Sequence, residues 1–388
     1  MNADTLGILL MPFTYGFIGW VTNVLALRMT FYPLKFVGIP PYLGWQGIVP
    51  RKAPNLALKS IKIMTEKLIR LEEFFAKVDP ELMEKDFQPI VDAMIPQICD
   101  ELLHEVFPSQ MDTLKEQEDL IIAEVKLRSS HAVKEISQKI KENPSGVFNF
   151  RSLVLRKLTG PNVEQIVEIF EEVGSKEFSF IEKSGFVFGA ILGGMQALLW
   201  LVYPQWWTLP LQGVFVGFIT NWLALTMIFR PLNEKRFGFF AYQGLFLKRQ
   251  EEVSKKYSQL FATKILTGSN VMEEVLYKRV ARKLIETILK VSGEILKETP
   301  AEGREFKELQ EEVVESLKKA SNQLEKYMER AMSIEKNMFS RMKALPPEEF
   351  EPILRSAFQE DEYILILIGS VLGAVTGGLQ AVYMLYFS

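Results

Sequence analysis

Gly19-Trp20-Val21-Thr22-Asn23-Val24-Leu25-Ala26-Leu27 recurs, with its glycine, threonine, asparagine and alanine in register, as Gly217-Phe218-Ile219-Thr220-Asn221-Trp222-Leu223-Ala224-Leu225. The likeness runs on through Met29, Phe31, Pro33 and Leu34 into Met227, Phe229, Pro231 and Leu232, and Gln46-Gly47 reappears as Gln243-Gly244. A second pattern closes each half: Gly189-Ala190, Gly193-Gly194 and Gln196-Ala197 return as Gly373-Ala374, Gly377-Gly378 and Gln380-Ala381. Self-similarity at long spacing is the signature of a duplicated architecture. Each half reads as apolar segment, polar segment, apolar segment, and the narrower spacing of the second pattern makes the second polar segment the shorter.

The 388-residue chain is 48% hydrophobic and 24% charged with a net charge of -3, averages that hide an uneven distribution. Lys and Arg are absent over 1–27, 184–229 and 356–388. A bilayer core of about 30 Å takes roughly 20 apolar residues in a helix, and the segments 6–31, 184–203, 209–229 and 363–386 qualify. Trp206 and Trp207, in the short gap between the middle two, are the aromatics expected at a headgroup boundary, so those two spans form a tight hairpin. Arg28, Lys35, Arg51 and Lys52 follow the first span, and Arg230, Lys235, Arg236, Lys248 and Arg249 follow the third. Cationic residues stay on the cytoplasmic side, which predicts cytoplasmic polar segments and places both termini and the Trp206-Trp207 turn outside. The first span lacks the basic leader of a secretion signal and is expected to stay on the mature protein.

Equivalent spans run in the same direction, so the copies form a parallel repeat about an axis along the membrane normal. The expected fold class is an all-α membrane protein with four transmembrane helices in tandem duplication and two large helical cytoplasmic domains. Its parts are a first membrane helix at 1–32, a cytoplasmic domain at 33–182, a membrane hairpin at 183–230, a second cytoplasmic domain at 231–361 and a last membrane helix at 362–388.

The stretch from Gly19 to Ala26, the run Trp45-Gln46-Gly47-Ile48-Val49-Pro50, and Glu360-Asp361-Glu362 leading into the Gly373–Gln380 pattern resemble an uncharacterised bacterial membrane protein family, domain of unknown function 445, related to YheB-like proteins. The resemblance covers essentially the whole chain and implies a multi-pass protein of the bacterial inner membrane. It implies no biochemical activity, since none is agreed for the family. Trp45 becomes Tyr242 in the second copy, and Ile48-Val49-Pro50 becomes Leu245-Phe246-Leu247; a ligand at that loop would be held unequally by the two halves.

Helices associate in lipid through close backbone approach and interhelical hydrogen bonds. Glycine spacing therefore locates the contacts at Gly19, Gly189, Gly193, Gly213, Gly217, Gly369, Gly373 and Gly377. Asn23 and Asn221 follow Gly19 and Gly217 by one turn, and Gln196 and Gln380 fall on the glycine faces of their own spans. With Thr22 and Thr220 they make an intramembrane polar face. One reading is a pathway or site for a polar solute or headgroup on the symmetry axis. The other, which the absence of central ionisable groups favours, is that the amides join helices and the threonines bond their own backbones. Arg28, near the cytoplasmic end, is expected to snorkel to phosphates.

The loops 31–50 and 229–246 are rich in Pro and aromatics and too short to cross the membrane. Arg28, Lys35, Trp45, Arg51, Lys52, Arg230, Lys248 and Arg249 are the candidate headgroup contacts there; a cap on the cytoplasmic domain is the equally weighted alternative. Beyond the loops the spacing predicts amphipathic helices, with breaks at Pro80, Pro89, Pro96, Pro108, Asn143-Pro144 and Pro346-Pro347. Helix starts are expected at Asn162 and Asn270, and an extended helical hairpin over 305–336.

A single cysteine, Cys99, excludes an intrachain disulfide framework. His104 and His131 lack metal-ligand spacing, so no metal or cofactor is expected. No phosphate-cradling loop or nucleophile elbow appears, and the polar segments are too balanced in charge for nucleic acid; the expectation is not an enzyme. The expected partners are membrane lipids, with a cytoplasmic protein or a second copy as further candidates. Two functions fit: a membrane-organising or lipid-handling scaffold, which is favoured, and a small-solute or lipid transporter or channel that uses a pseudo-twofold polar site between the four membrane helices.

Overall fold

A computed structural model describes residues 3–39, 43–107, 111–237, 240–297, 306–356 and 362–387. Its principal elements in chain order are α1 (Ala3–Phe31), the antiparallel hairpin β1 (Val37–Ile39) and β2 (Leu43–Trp45), α2 (Ile48–Ile63), α3 (Pro80–Val106), α4 (Met111–Ser129), α5 (Ala132–Glu142), α6 (Val163–Val202), α7 (Thr208–Phe229), the hairpin β3 (Lys235–Phe237) and β4 (Phe240–Tyr242), α8 (Lys278–Leu296), α9 (Phe306–Ala320) and α10 (Glu362–Phe387). Two compact units contain them. One comprises Met1–Lys67, Val154–Ser258 and Phe339–Ser388, the other Leu68–Leu153 and Gln259–Met338.

In the first unit α1, α6, α7 and α10 are long and apolar enough to cross a membrane. They form two intimate pairs, α1 with α6 and α7 with α10, which also touch one another. Glycine makes the intimacy attainable. A Cβ on Gly19 would fall on the Gly185 carbonyl oxygen, and one on Gly217 on that of Gly369. Gly189 and Gly193 face the carbonyls of Tyr15 and Met11, while Gly373 and Gly377 face those of Gly213 and Leu209. Beside each glycine contact, an amide reaches across. Asn23 Nδ2 donates to Ile181 O at 2.6 Å, and Asn221 Nδ2 to Leu365 O at 2.9 Å.

Where the pairs meet, Met11, Tyr15, Ile18, Leu209, Val216, Ala381 and Met384 close a buried core, and Tyr15 Oη donates to Leu209 O at 3.1 Å. The outward faces are the reverse of a water-soluble surface. Leu9, Phe13, Phe17 and Trp20 on α1, and Leu211, Phe215, Phe218 and Trp222 on α7, are exposed at spacings of three and four. Val187, Ile191, Met195 and Leu198 on α6 and Leu367, Val371, Val375 and Leu379 on α10 continue the pattern. Such ridges suit hydrocarbon as solvent, where apolar side chains gain nothing by burial.

α6 is one continuous helix of 40 residues, so the expected boundary at 183 falls inside it. No proline interrupts 163–202, and the apolar stretch simply extends a charged one. A helix does start near Asn162, but the second expected start moves from Asn270 to Gly268, where the Thr267 side chain caps it by accepting from Asn270 N at 3.1 Å.

In the second unit, residues of both polar segments pack into one body in place of a separate domain from each half. Pro89 and Pro96, expected as breaks, lie within α3. An internal proline removes a hydrogen bond, yet Phe87, Val91, Ile95, Ile98 and Leu102 bury one continuous stripe along that helix and hold it. Pro80 does begin the helix, behind the Asp79 cap; Pro108 lies outside the described residues. The run expected as an extended hairpin is α9 followed by Asn322–Met332, interrupted at Ser321. Ser321 Oγ donates to the buried Tyr277 hydroxyl at 2.7 Å, and Tyr277 stacks on Phe87 with centroids 5.5 Å apart. The two-stranded hairpins are a further departure from an all-helical expectation.

Gly217→Val places carbon where the Gly369 carbonyl sits, and forced overpacking costs about 1–3 kcal/mol. The same change at Gly378, where a Cβ meets nothing within 4 Å, is expected to leave denaturant unfolding of the detergent-solubilised protein nearly unchanged. Asn221→Ala removes one interhelical hydrogen bond and is expected to lower stability by about 0.6 kcal/mol in the same assay.

Candidate functional site

The last carbonyls of a helix have no partner within it, and the two loops expected at the interface supply them. Trp45 Nε1 donates to Met29 O at 3.1 Å, and Tyr242 Oη donates to Met227 O at 3.0 Å. Different side chains thus do the same job at the ends of α1 and α7. A backbone clasp closes each loop: Gln46 Nε2 donates to Leu34 O and Gln243 Nε2 to Leu232 O, both at 2.8 Å. Gly47 N donates to Pro33 O at 2.9 Å and Gly244 N to Pro231 O at 3.0 Å. The Tyr32-Pro33 and Arg230-Pro231 peptide bonds are both cis.

The hairpins that these clasps hold out differ in chemistry. β1–β2 pairs Val37 with Trp45 and Ile39 with Leu43, and its apolar side chains point into solvent, with Val37 63%, Ile39 72% and Leu43 71% exposed. Gly38 at φ 140° sits where a Cβ would strike the facing strand. β3–β4 pairs Lys235 with Tyr242 and Arg236 with Ala241, and exposes both cations.

At the end of α7 opens a cleft of about 630 Å³, lined by the apolar Leu223, Met227 and Leu232 together with the cations Arg230 and Lys235. Arg230 lies 3.6 Å from Glu351, which also takes Arg355 at 2.9 Å. Lys235, exposed, lines the cleft as a cation with no ion pair among the described residues. Arg355 reaches Glu362 as well, at 3.2 Å; Glu360 and Asp361, part of the family resemblance, lie outside the described residues.

Arg249, expected at headgroups, is instead enclosed by carboxylates. It pairs with the buried Glu177 and with Glu252 at 2.8 Å, which Lys176 also holds at 2.5 Å. Hydrogen bonds from Arg249 and Lys176 pull the Glu252 carboxyl down to about 2. Burial pushes Glu177 up, against the pull of Arg249. Arg51 lies over the Trp45 ring at 6.0 Å, and Lys52 is half-buried. Arg28, Lys35 and Lys248 are exposed and make no ion pair among the described residues.

Among the described residues no hydrogen bond joins Asn23 to Asn221 or Gln196 to Gln380. Thr22 Oγ1 bonds back to Gly19 O at 3.1 Å, and Thr220 Oγ1 to Val216 O at 2.8 Å. Asn23 and Asn221 sit in separate helix pairs. Gln196 Nε2 donates to Thr208 Oγ1 at 3.1 Å, while the buried oxygens Asn23 Oδ1, Gln196 Oε1 and Gln380 Oε1 have no hydrogen-bond partner. Gly185 is the contact that sequence reasoning missed. It meets both Gly19 O and Asn23 Nδ2, and its signal was available one turn before Gly189 in the series Gly185-Gly189-Gly193 that matches Gly369-Gly373-Gly377. Lys235 was noted for orientation only.

Residues 211–380 match the family model described as "Protein of unknown function (DUF445)". The chain is also 32% identical over 90 residues to a UPF0754 membrane protein of Listeria innocua, a match covering 22% of this chain and 23% of that one. It is 30% identical over 96 residues to a UPF0754 membrane protein of Rippkaea orientalis, covering 24% of this chain and 20% of the relative. The chain therefore spans only about a fifth to a quarter of the length of the curated relatives it matches. No solved structure matches it. With its apolar helices and its membrane-protein relatives, the chain is a membrane protein, and its residues 211–380 are similar to the DUF445 family of unknown function.

Proposed function

We propose that the protein is an inner-membrane scaffold that holds anionic phospholipid at the cytoplasmic leaflet, with the cleft at the end of α7 as the headgroup seat. The observation that carries this reading is the pairing of an apolar lining, Leu223, Met227 and Leu232, with the cations Arg230 and Lys235. An acyl chain lies along such a lining while guanidinium and ammonium groups hold phosphate. The strands β1 and β2 serve as a second anchor, their exposed Val37, Ile39 and Leu43 entering the headgroup boundary. A cytoplasmic placement of the polar segments is supported by the run of cations after α1 and α7 and their absence over 184–203 and 363–388. A tandem origin is supported by equivalent contacts: Gly19 on Gly185 with Asn23 on Ile181, and Gly217 on Gly369 with Asn221 on Leu365. No catalytic step belongs to this reading.

A second reading, a transporter for small polar solutes, is favoured by the partnerless oxygens of Asn23, Gln196 and Gln380 among the membrane helices. It is weaker because both asparagine amides donate to a neighbouring backbone, which is what a purely adhesive role requires.

Extraction of the protein with its surrounding lipid into polymer-bounded discs, followed by lipid mass spectrometry, tests the first reading. Each cation near an anionic surface contributes about 1 kcal/mol, so Arg230→Ala with Lys235→Ala is expected to weaken retention of phosphatidylglycerol or cardiolipin by roughly 30-fold. Equal anionic lipid on variant and parent contradicts the proposal. In proteoliposomes the scaffold reading expects no solute flux; flux that disappears in the Asn23→Leu, Asn221→Leu double variant would establish the second reading instead.

A further inference from the structure

We infer that the second compact unit carries a binding site for the dianionic phosphate group of a small soluble molecule, in a pocket between α5 and α8 and separate from the lipid cleft. The pocket has a volume of about 210 Å³, a scale that suits a small anion better than a bulky organic ligand. Glu135 and Lys139 line it from α5, and Arg279, Arg282, Lys283 and Glu286 from α8. Residues three and four apart share a helix face, so each helix presents one polar stripe to the same space.

The charges do not cancel. Four cations oppose two carboxylates, and Glu135 is already engaged with Lys139 at 2.8 Å. Lys139, with a further contribution from Lys283, holds the Glu135 carboxyl below the usual range, so it is anionic and committed to its neighbours. Among the described residues Arg282 and Lys283 make no ion pair. The net excess of two positive charges matches one phosphate dianion.

Arg279 supplies the geometry. Its Nη2 donates to Val147 O at 2.7 Å, which fixes the guanidinium plane, while its Nε is buried and without a hydrogen-bond partner. A buried donor left unmade costs the desolvation of that group, and an oxyanion within reach relieves it. A pre-oriented guanidinium with exposed Arg and Lys beside it is the arrangement that recognises phosphate oxygens through charge-assisted hydrogen bonds. A carboxylate ligand would satisfy one charge of the two, so the phosphate dianion fits better.

The test uses the full chain in detergent, with inorganic phosphate as the probe and chloride at matched ionic strength as the reference, read by calorimetry and by thermal unfolding. Phosphate is expected to bind the parent and raise its unfolding temperature beyond the chloride control. The Arg282→Ala, Lys283→Ala double variant changes two exposed side chains and so is expected to fold; it should bind at least about tenfold more weakly. Glu286→Gln removes a like charge and should bind more tightly. Lys319→Ala, an exposed cation away from the pocket, should behave as the parent. Absence of a phosphate-specific effect on the parent overturns the proposal. So does equal weakening in Lys319→Ala, unchanged or weaker binding in Glu286→Gln, or binding confined to phosphatidic acid vesicles with none to free phosphate.

Discussion

Close approach of backbones at glycine is the constraint on which the membrane part of this protein depends. Lipid tails solvate leucine and valine as well as another helix does, so two spans associate only where their main chains can touch and exchange polar contacts. Gly19 on Gly185 and Gly217 on Gly369 provide that contact, each flanked by an asparagine bonded to a carbonyl of the other helix. The bulky side chains that would obstruct it, Phe13 and Trp20 or Phe215 and Trp222, are turned outward. Once the pairs are set, the ends of α1 and α7 are set too. The hairpins capped onto Met29 and Met227 then have a defined place at which to present their side chains.

The sequence made the spans and their packing faces legible because the bilayer imposes a length and lipid imposes small residues at contacts. Both rules act within one helix and can be counted along it. The loops were harder. Strands of three residues offer too little alternation to register as strands, and the caps by Trp45 and Tyr242 join positions whose partners no periodicity names. Trp45 and Tyr242 differ in chemistry, yet indole and phenol donate to the same acceptor, the third carbonyl from a helix end.

The charged residues show the same limit from another side. Arg249 follows the third span as an expected headgroup contact, yet Glu177, which holds it, lies far away in the chain. Orientation arguments count cations near a span; they do not say which of them keep their charge for the lipid. Lys235, counted only for orientation, proves to line the cleft. In the second unit, amphipathic helices were evident from their spacing, but which faces meet follows from tertiary packing alone. Local signals therefore did not place residues of 68–153 and 259–338 in one body, nor α5 opposite α8.

Spin-label accessibility along α7 in lipid nanodiscs addresses the central claim most directly, with one label at a time from Leu211 to Trp222. The account expects labels at 211, 215, 218 and 222 to be relaxed by oxygen, which concentrates in hydrocarbon, and barely by a water-soluble nickel chelate. Labels at 216 and 220 should be shielded from both, giving a period near 3.6. Nickel relaxation along the outward face, or uniform oxygen access around the helix, would contradict a glycine-packed pair crossing a bilayer.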